Sequence, residues 1–315
     1  MINGVINVYK EPGYTSHDVV ARLRGITHQK KIGHTGTLDP EAVGVLCVCM
    51  GAATRICDML TDATKEYEAV LLLGVTTDTQ DTTGEVLQRR EVNITEEALR
   101  EVITHYVGDI KQIPPMYSAL KVNGKKLYEL ARAGVEVERK PRDITIYSID
   151  VVDITLPRAT IRVTCSKGTY IRTLCNDIGE ELGCGAAMEH LTRTRVGDFG
   201  IETAHTLDDI EEIVKRGDDT DPAEALSEIL VTPQDVFSNL KSAVVITDAG
   251  VKRADNGNIL EMVDIMLESG YENDSSNMLI DGEEITVLRK DGFFYGVFKY
   301  QAKSQILKPV KMFLC

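Results

Sequence analysis

Apolar and polar positions alternate from Gly4 to Lys10, a spacing that predicts a strand, and Pro12-Gly13 ends it. Ser16 is then placed to cap a helix with Val19, Val20 and Leu23 on one side. After a turn rich in Gly and Thr, the apolar run Gly44 to Met50 predicts a second strand and Tyr67 to Gly74 a third. Thr76 to Gly84 reads as a polar loop and Glu85 to Val92 as extended. Thr95 to Tyr106 reads as a helix capped by Thr95, with acidic residues in its first turn. Ile113-Pro114-Pro115 closes that unit, and an insertion over residues 121–142 collects Lys121, Lys125, Lys126, Arg132, Arg139, Lys140 and Arg142. Strands are expected over Ile144 to Ile154 and Thr160 to Ser166, then a helix with the stripe Ile171, Leu174, Ile178 and Leu182, and a further helix from Leu207 to Arg216. Asp218 to Asp221 with Pro222 reads as a surface connection.

The mixture has no βαβ rhythm, which predicts an α+β fold with a central, largely antiparallel sheet and flanking helices. Beyond Leu240 the pattern changes to short extended pieces, Val244 to Thr247, Ile285 to Leu288 and Phe293 to Tyr300, separated by Asn-Gly and Asp-Gly turns. We therefore expect two domains, residues 1–239 and a small β-rich module over residues 240–315.

With 315 residues, 43% of them apolar, the chain can bury a substantial core. No apolar run approaches the roughly 20 residues that span a bilayer, and the first residues show no basic leader, so the expected location is cytoplasmic. The seven cysteines lack zinc-ligand spacing and read as reduced thiols; Cys47 and Cys49 share one face of a strand. A net charge of −14 speaks against a nucleic-acid partner, but about −11 of it lies in residues 201–315 and only about −3 in residues 1–200. A nearly neutral first part can carry local basic stripes that meet phosphates.

The richest stretch for chemistry runs Gly33-His34-Thr35-Gly36-Thr37-Leu38-Asp39-Pro40. Read locally, Asp39 caps a short helix with Pro40 at its first position; read functionally, it is a carboxylate held at the mouth of a cleft. Phosphorylated-aspartate ATPases place an Asp two residues before Thr-Gly-Thr, where this chain has Gly33, and no Gly-rich Lys-Ser/Thr phosphate loop occurs, so nucleotide hydrolysis is excluded.

Seven segments, in order, carry a resemblance to one family: Lys10 to Ser16, His34 to Gly44, Lys65-Glu66-Tyr67, Thr77 to Asp81, Pro114 to Lys121, Lys167 to Leu174 and His190 to Gly197. From Gly4 to about Leu240 the chain resembles the TruB-type tRNA pseudouridine-55 synthases. The resemblance implies a pseudouridine-synthase-like sheet, a small PUA-like C-terminal domain and isomerisation of a uridine in the T-loop of tRNA. It implies no cofactor and no metal, no membrane, and a monomer without an obligate protein partner. Asp39 would be the catalytic carboxylate and Arg172 its ion-pair partner, explaining a cation at a helix N-terminus where the dipole disfavours one. Tyr67 would stack on the extruded base and accept the C5 proton, and Leu191 would wall the pocket. Tyr170 would contact the nucleotide, His34 would fill the vacated space, and Lys10 with the insertion would meet phosphates. Asp81 falls in a matched segment without an evident role. The acidity of the tail departs from an RNA-binding module. Two other readings are a tRNA-folding chaperone without catalysis, opposed by the intact Asp39, Tyr67 and Arg172 set, and a guide-RNA-directed subunit, opposed by the acidic tail.

Overall fold

A computed structural model describes residues 1–122, 124–217, 220–268 and 279–314. Two residues of the expected acidic connection, Asp218 and Asp219, and the last cysteine lie outside the described residues. The fold is α+β. Its large sheet runs in the order Leu230–Val231, Gly4–Lys10, Val43–Met50, Ala186–Val196, Lys65–Leu73, Arg158–Cys165, Arg142–Thr155 and Gly108–Gln112, with Ile32–His34 and Phe199–Gly200 paired off this path. Every neighbouring pair is antiparallel except Val43–Met50 with Ala186–Val196.

Period-two geometry divides the chain's apolar residues between the two faces of that sheet. All eight residues of Val43–Met50 are buried, as expected of a strand covered on both sides. Leu46, Val48 and Met50 pack with Ile6, Val8 and the helix residues Val19, Val20 and Leu23, while Val45, Cys47 and Cys49 face the opposite way onto Val5, Ile56 and Val196. The helix Ile171–Glu181 lays its stripe against the far half of the sheet, where Ile161, Val163, Leu71 and Leu191 complete a third cluster.

Three local expectations shift. The first helix, Ser16–Thr27, is capped by Thr15, whose hydroxyl accepts from the Asp18 N–H in a capping box. Ser16 is free to bind elsewhere, and its Oγ accepts the N–H of Leu38. The strand Ala186–Val196 occupies the middle of the sheet although its sequence does not announce one: its buried face mixes small alanines with Arg193, so the apolar alternation is hidden. The basic insertion is a hairpin, Lys121–Val122 with Lys125–Lys126, followed by the helix Leu127–Arg132, which anchors itself through the buried Leu127.

The second sheet begins at Lys241 and orders Leu260–Glu261, Ile306–Met312, Phe294–Gln301, Glu284–Arg289, Lys241–Val245 and Ile265–Leu267. Phe237, Phe294 and Phe313 stack at its junction with the large sheet, where they join the Val5 and Val45 cluster. Lys311 reaches Asp58 at 3.3 Å across the same seam.

The junction between the Asp39 loop and the sheet depends on one glycine. Gly44 has φ +101°, and a Cβ there would lie 2.2 Å from the carbonyl oxygen of Arg193 on the parallel neighbour. Gly44→Ala should therefore lower unfolding free energy by about 2–4 kcal/mol, measured by urea denaturation; a loss within experimental error would show that this approach is not tight.

Candidate active site

Asp39 does not cap a helix. The loop from Thr35 to Ala42 runs without regular structure into Val43–Met50, and backbone anchors on both sides fix it. Thr35 donates to the Cys47 carbonyl at 3.1 Å, Leu38 N–H donates to Ser16 Oγ at 3.0 Å, and Ala42 donates to the Asp39 carbonyl at 3.1 Å. Pro40 oxygen accepts from the Gly13 N–H at 3.0 Å and from Lys10 Nζ at 2.8 Å. Leu38 and Ala42 plug the core on either side of Asp39, so the carboxylate is presented by a clamped loop.

What it meets is Arg172, in the first turn of Ile171–Glu181, with a side chain only 7% exposed. All three nitrogens of its fork are used. Nε lies 3.1 Å from Asp39 Oδ2, and Nη2 lies 3.4 Å from Asp39 Oδ1 and 2.8 Å from the Tyr117 carbonyl. Nη1 faces the Thr79 carbonyl at 3.1 Å and Asp81 Oδ2 at 3.4 Å. A planar guanidinium matches such a set where a point cation does not. Two carboxylates next to the dipole-positive end of a helix also offset the cost of placing a buried cation there.

Asp81 is the site residue whose role the sequence left open. Its second oxygen accepts from Thr79 Oγ1, Thr83 N–H and Thr83 Oγ1, a self-contained turn that aims Oδ2 at Arg172. The turn is itself pinned: Met188 N–H donates to the Gln80 carbonyl and the Met188 carbonyl accepts from Thr82 N–H, both at 3.0 Å, and Gln80 Oε1 accepts from Thr173 of the Arg172 helix at 2.8 Å. A polar loop with two Thr flanking an Asp was the available signal. Around Asp39 the balance of forces is therefore explicit. Burial pushes its carboxyl pKa upward, the Arg172 charge pulls it down, Asp81 pushes it up again and Lys10 pulls it down.

Tyr67 sits on Lys65–Leu73 opposite Arg193, with its ring against the cluster that contains Leu38 and Leu191. Burial raises its phenol pKa, so the free protein holds it protonated at neutral pH. Leu191 is 7% exposed on the same face of the adjacent strand. Asp39, Arg172, Tyr67 and Leu191 thus converge on one side of the sheet. Tyr170 precedes the Arg172 helix and is locked by reciprocal bonds between its backbone and the Gln112 amide, at 2.8 and 3.0 Å. His34 lies at the far end of the Asp39 loop, edge-on to His17 with ring centroids 5.4 Å apart. Its Nδ1 faces the Gly36 N–H, and burial lowers its pKa, which favours the neutral ring.

Lys10 requires a correction. It is fully buried, and its ammonium is spent on the carbonyls of Glu11, at 3.0 Å, and Pro40, at 2.8 Å, so it braces the Asp39 loop from below and cannot meet a phosphate as expected. Lysine reads as a surface residue in any sequence, and only the packing reveals otherwise. Most basic side chains of the insertion are exposed, whereas Arg139 is largely buried and donates to the Pro114 carbonyl at 3.1 Å; Lys126 and Arg132 lie against the Tyr128 ring at 5.2 and 5.5 Å.

The TruB family pseudouridylate synthase (N terminal domain) model matches residues 24–171, and the tRNA pseudouridylate synthase B C-terminal domain model matches residues 172–236. The chain is 43% identical over 304 residues to tRNA pseudouridine synthase B of Alkaliphilus oremlandii, covering 96% of each protein. It is 48% identical to that of Lachnoclostridium phytofermentans, covering 99% of this chain and 100% of the relative, and 41% identical to that of Bacillus subtilis, covering 100% and 98%. Among solved structures it is similar to a Cbf5-Nop10-Gar1 complex, with TM-score 0.73, 29% identity and coverage of 98% of this chain and 84% of that one. A structure of an H/ACA RNP bound to a substrate RNA containing 2′-deoxyuridine gives TM-score 0.71 and 26% identity, with coverage of 99% and 85%.

Burial pulls the Lys10 ammonium down to about 8, against about 10.4 for the unfolded chain. Between those values the unfolded chain holds the extra proton, so the Lys10 contribution to stability rises with pH; below about 8 both forms are charged and it is constant. The difference in unfolding free energy between wild type and Lys10→Met should therefore shift in favour of wild type between about pH 8 and 10, read from urea titrations. A difference that does not change with pH would place this ammonium in water.

Proposed function

The chain belongs to the TruB family of pseudouridylate synthases, and from that premise we propose that it converts uridine 55 in the T-loop of tRNA to pseudouridine with Asp39 as the catalytic carboxylate. The reaction cleaves the bond from N1 to C1′, turns the base, joins C5 to C1′ and removes the C5 proton. No electrons enter or leave, so its chemistry asks for a carboxylate, a proton acceptor and a pocket that excludes water. Asp39 acts on the sugar or the base. Arg172 holds it in place and in its charged form, and Tyr67 stacks on the base and takes the C5 proton. Leu191 and Tyr170 wall the nucleotide.

The observation that carries this reading is the arginine fork between Asp39 and Asp81. From the first turn of its helix Arg172 fixes the Asp39 carboxylate beside Tyr67 and Leu191, at a cost in buried charge that a binding surface alone would not require. Extruding a stacked uridine costs a few kcal/mol, which phosphate contacts from the exposed insertion and the His34 ring offset. The acidic second sheet is a poorer phosphate surface, and we divide the chain into a catalytic domain over residues 1–239 and a PUA-like domain over residues 240–315. Matches over nearly the whole chain to proteins named for tRNA, at 41–48% identity, favour tRNA over a guide-directed substrate. No helix among the described residues is long and apolar enough to cross a membrane, and we place the enzyme in the cytoplasm, working on tRNA as a monomer.

With tRNA carrying 5-tritiated uridine, the wild type should release tritium from the T-loop position, and Asp39→Asn should release it on the order of a thousandfold more slowly while still binding the tRNA. Binding by the wild type with no release would instead establish a chaperone.

A further inference from the structure

Arg193 is 1% exposed, in the middle of the large sheet, and its charge is answered by no carboxylate within ion-pair distance among the described residues. Nε donates to the Val45 carbonyl at 2.7 Å. Nη1 lies beneath the Asp39 loop, 3.7 Å from where a Cβ on Gly36 would stand, and Nη2 has no hydrogen-bond partner among the described residues. Its charged neighbours are mostly cations: Lys10 and Lys65 are both pushed down to about 8, chiefly by burial and partly by this guanidinium, and His34 is lowered by it too. Lys65 is already committed to three carbonyls at the end of the helix Cys57–Asp62.

An unpaired buried guanidinium among like charges is costly. A neutral donor of the same reach could satisfy the Val45 carbonyl without that cost, so bracing does not account for the charge. One side chain is placed to use it. Strand pairing sets Arg193 opposite Tyr67 on the same face, where the guanidinium charge favours the ionised form of the phenol. The other titratable groups facing Tyr67 are Cys165 on the next strand and Asp39 across the pocket, and both disfavour a negative charge on the phenol oxygen. Arg193 is the group that favours it.

We propose that Arg193 is a positioning residue for the last chemical step, its spare N–H holding the Tyr67 oxygen and its charge stabilising that oxygen as the phenolate that takes the proton from C5. This rests on the reading of Tyr67 as the proton acceptor. The Tyr67 phenol, protonated in the free protein, first gives its proton to solvent; the C5–H bond then breaks and its proton passes to the phenolate oxygen. The released electron pair becomes the C5=C6 double bond, the C6=N1 pair left after C5 joined C1′ moves onto N1, and N1 takes up a proton from water.

The test is a single-turnover isotope effect with full-length tRNA containing 5-deuterated uridine, compared between wild type, Arg193→Met, Arg193→Lys and Tyr67→Phe. An isotope effect is a ratio of rates on the same preparation, so partial unfolding of a variant does not move it. Both Arg193 variants should show an effect about twofold or more above wild type, larger in Met than in Lys, because C5 proton removal has become slow. Where Met yields no folded protein, Lys carries the test, since one nitrogen on a shorter stem cannot stand both at the Nε position against Val45 and at the fork end toward Tyr67. A rise in Tyr67→Phe with wild-type values in the Arg193 variants overturns the assignment to Arg193 and leaves Tyr67 in place. No rise in Tyr67→Phe removes Tyr67 as the acceptor and this inference with it.

Discussion

One guanidinium organises the catalytic half of the molecule. Arg172 is nearly excluded from water and can be tolerated there only because two carboxylates and two backbone carbonyls occupy its fork. Those four partners come from three segments: the Asp39 loop, Thr79 and Asp81 of the polar turn, and Tyr117 ahead of the insertion. The helix that carries Arg172 is therefore the point at which otherwise separate loops are forced into register. Removing the arginine would leave two carboxylates facing each other in a half-dry site, which is why its loss costs more than one salt bridge.

The rest of the scaffold follows from keeping the Asp39 loop still. Its ends run into the strands Ile32–His34 and Val43–Met50, both packed into large apolar clusters, and its middle is held by the Lys10 ammonium and the Ser16 hydroxyl. Lys10 beneath Pro40 is an expensive brace in stability terms, and Arg193 beneath Gly36 is as costly, since among the described residues neither has a carboxylate within ion-pair distance. Such expense concentrates where geometry must be exact to fractions of an ångström. Remote burial supports it, from the phenylalanine junction with the second sheet to the helix stripe of Ile171, Leu174 and Ile178.

Much of this was readable from the residues. The strands at Gly4–Lys10 and Val43–Met50 and the helix Leu207–Arg216 follow from period and caps, and so does the largely antiparallel α+β class. What hid was whatever violates binary patterning for a reason. Ala186–Val196 escapes as a strand because Arg193 faces inward, and Lys10 reads as a surface cation because buried lysines are rare. Local rules make Asp39 a helix cap, and only the combination of segments brought it beside Arg172. Asp81 stayed silent because a polar turn looks the same whether or not its carboxylate points at a partner.

The decisive measurement is the titration of the Asp39 carboxyl by carbon-13 NMR in protein labelled at aspartate, with and without the guanidinium. In the wild type the resonance should titrate above the ordinary aspartate range, because burial outweighs the Arg172 charge, and in Arg172→Met it should move higher still. An Asp39 carboxyl that titrates as a free aspartate does, and that is indifferent to the loss of Arg172, would mean that the two groups are not held together in a water-poor site.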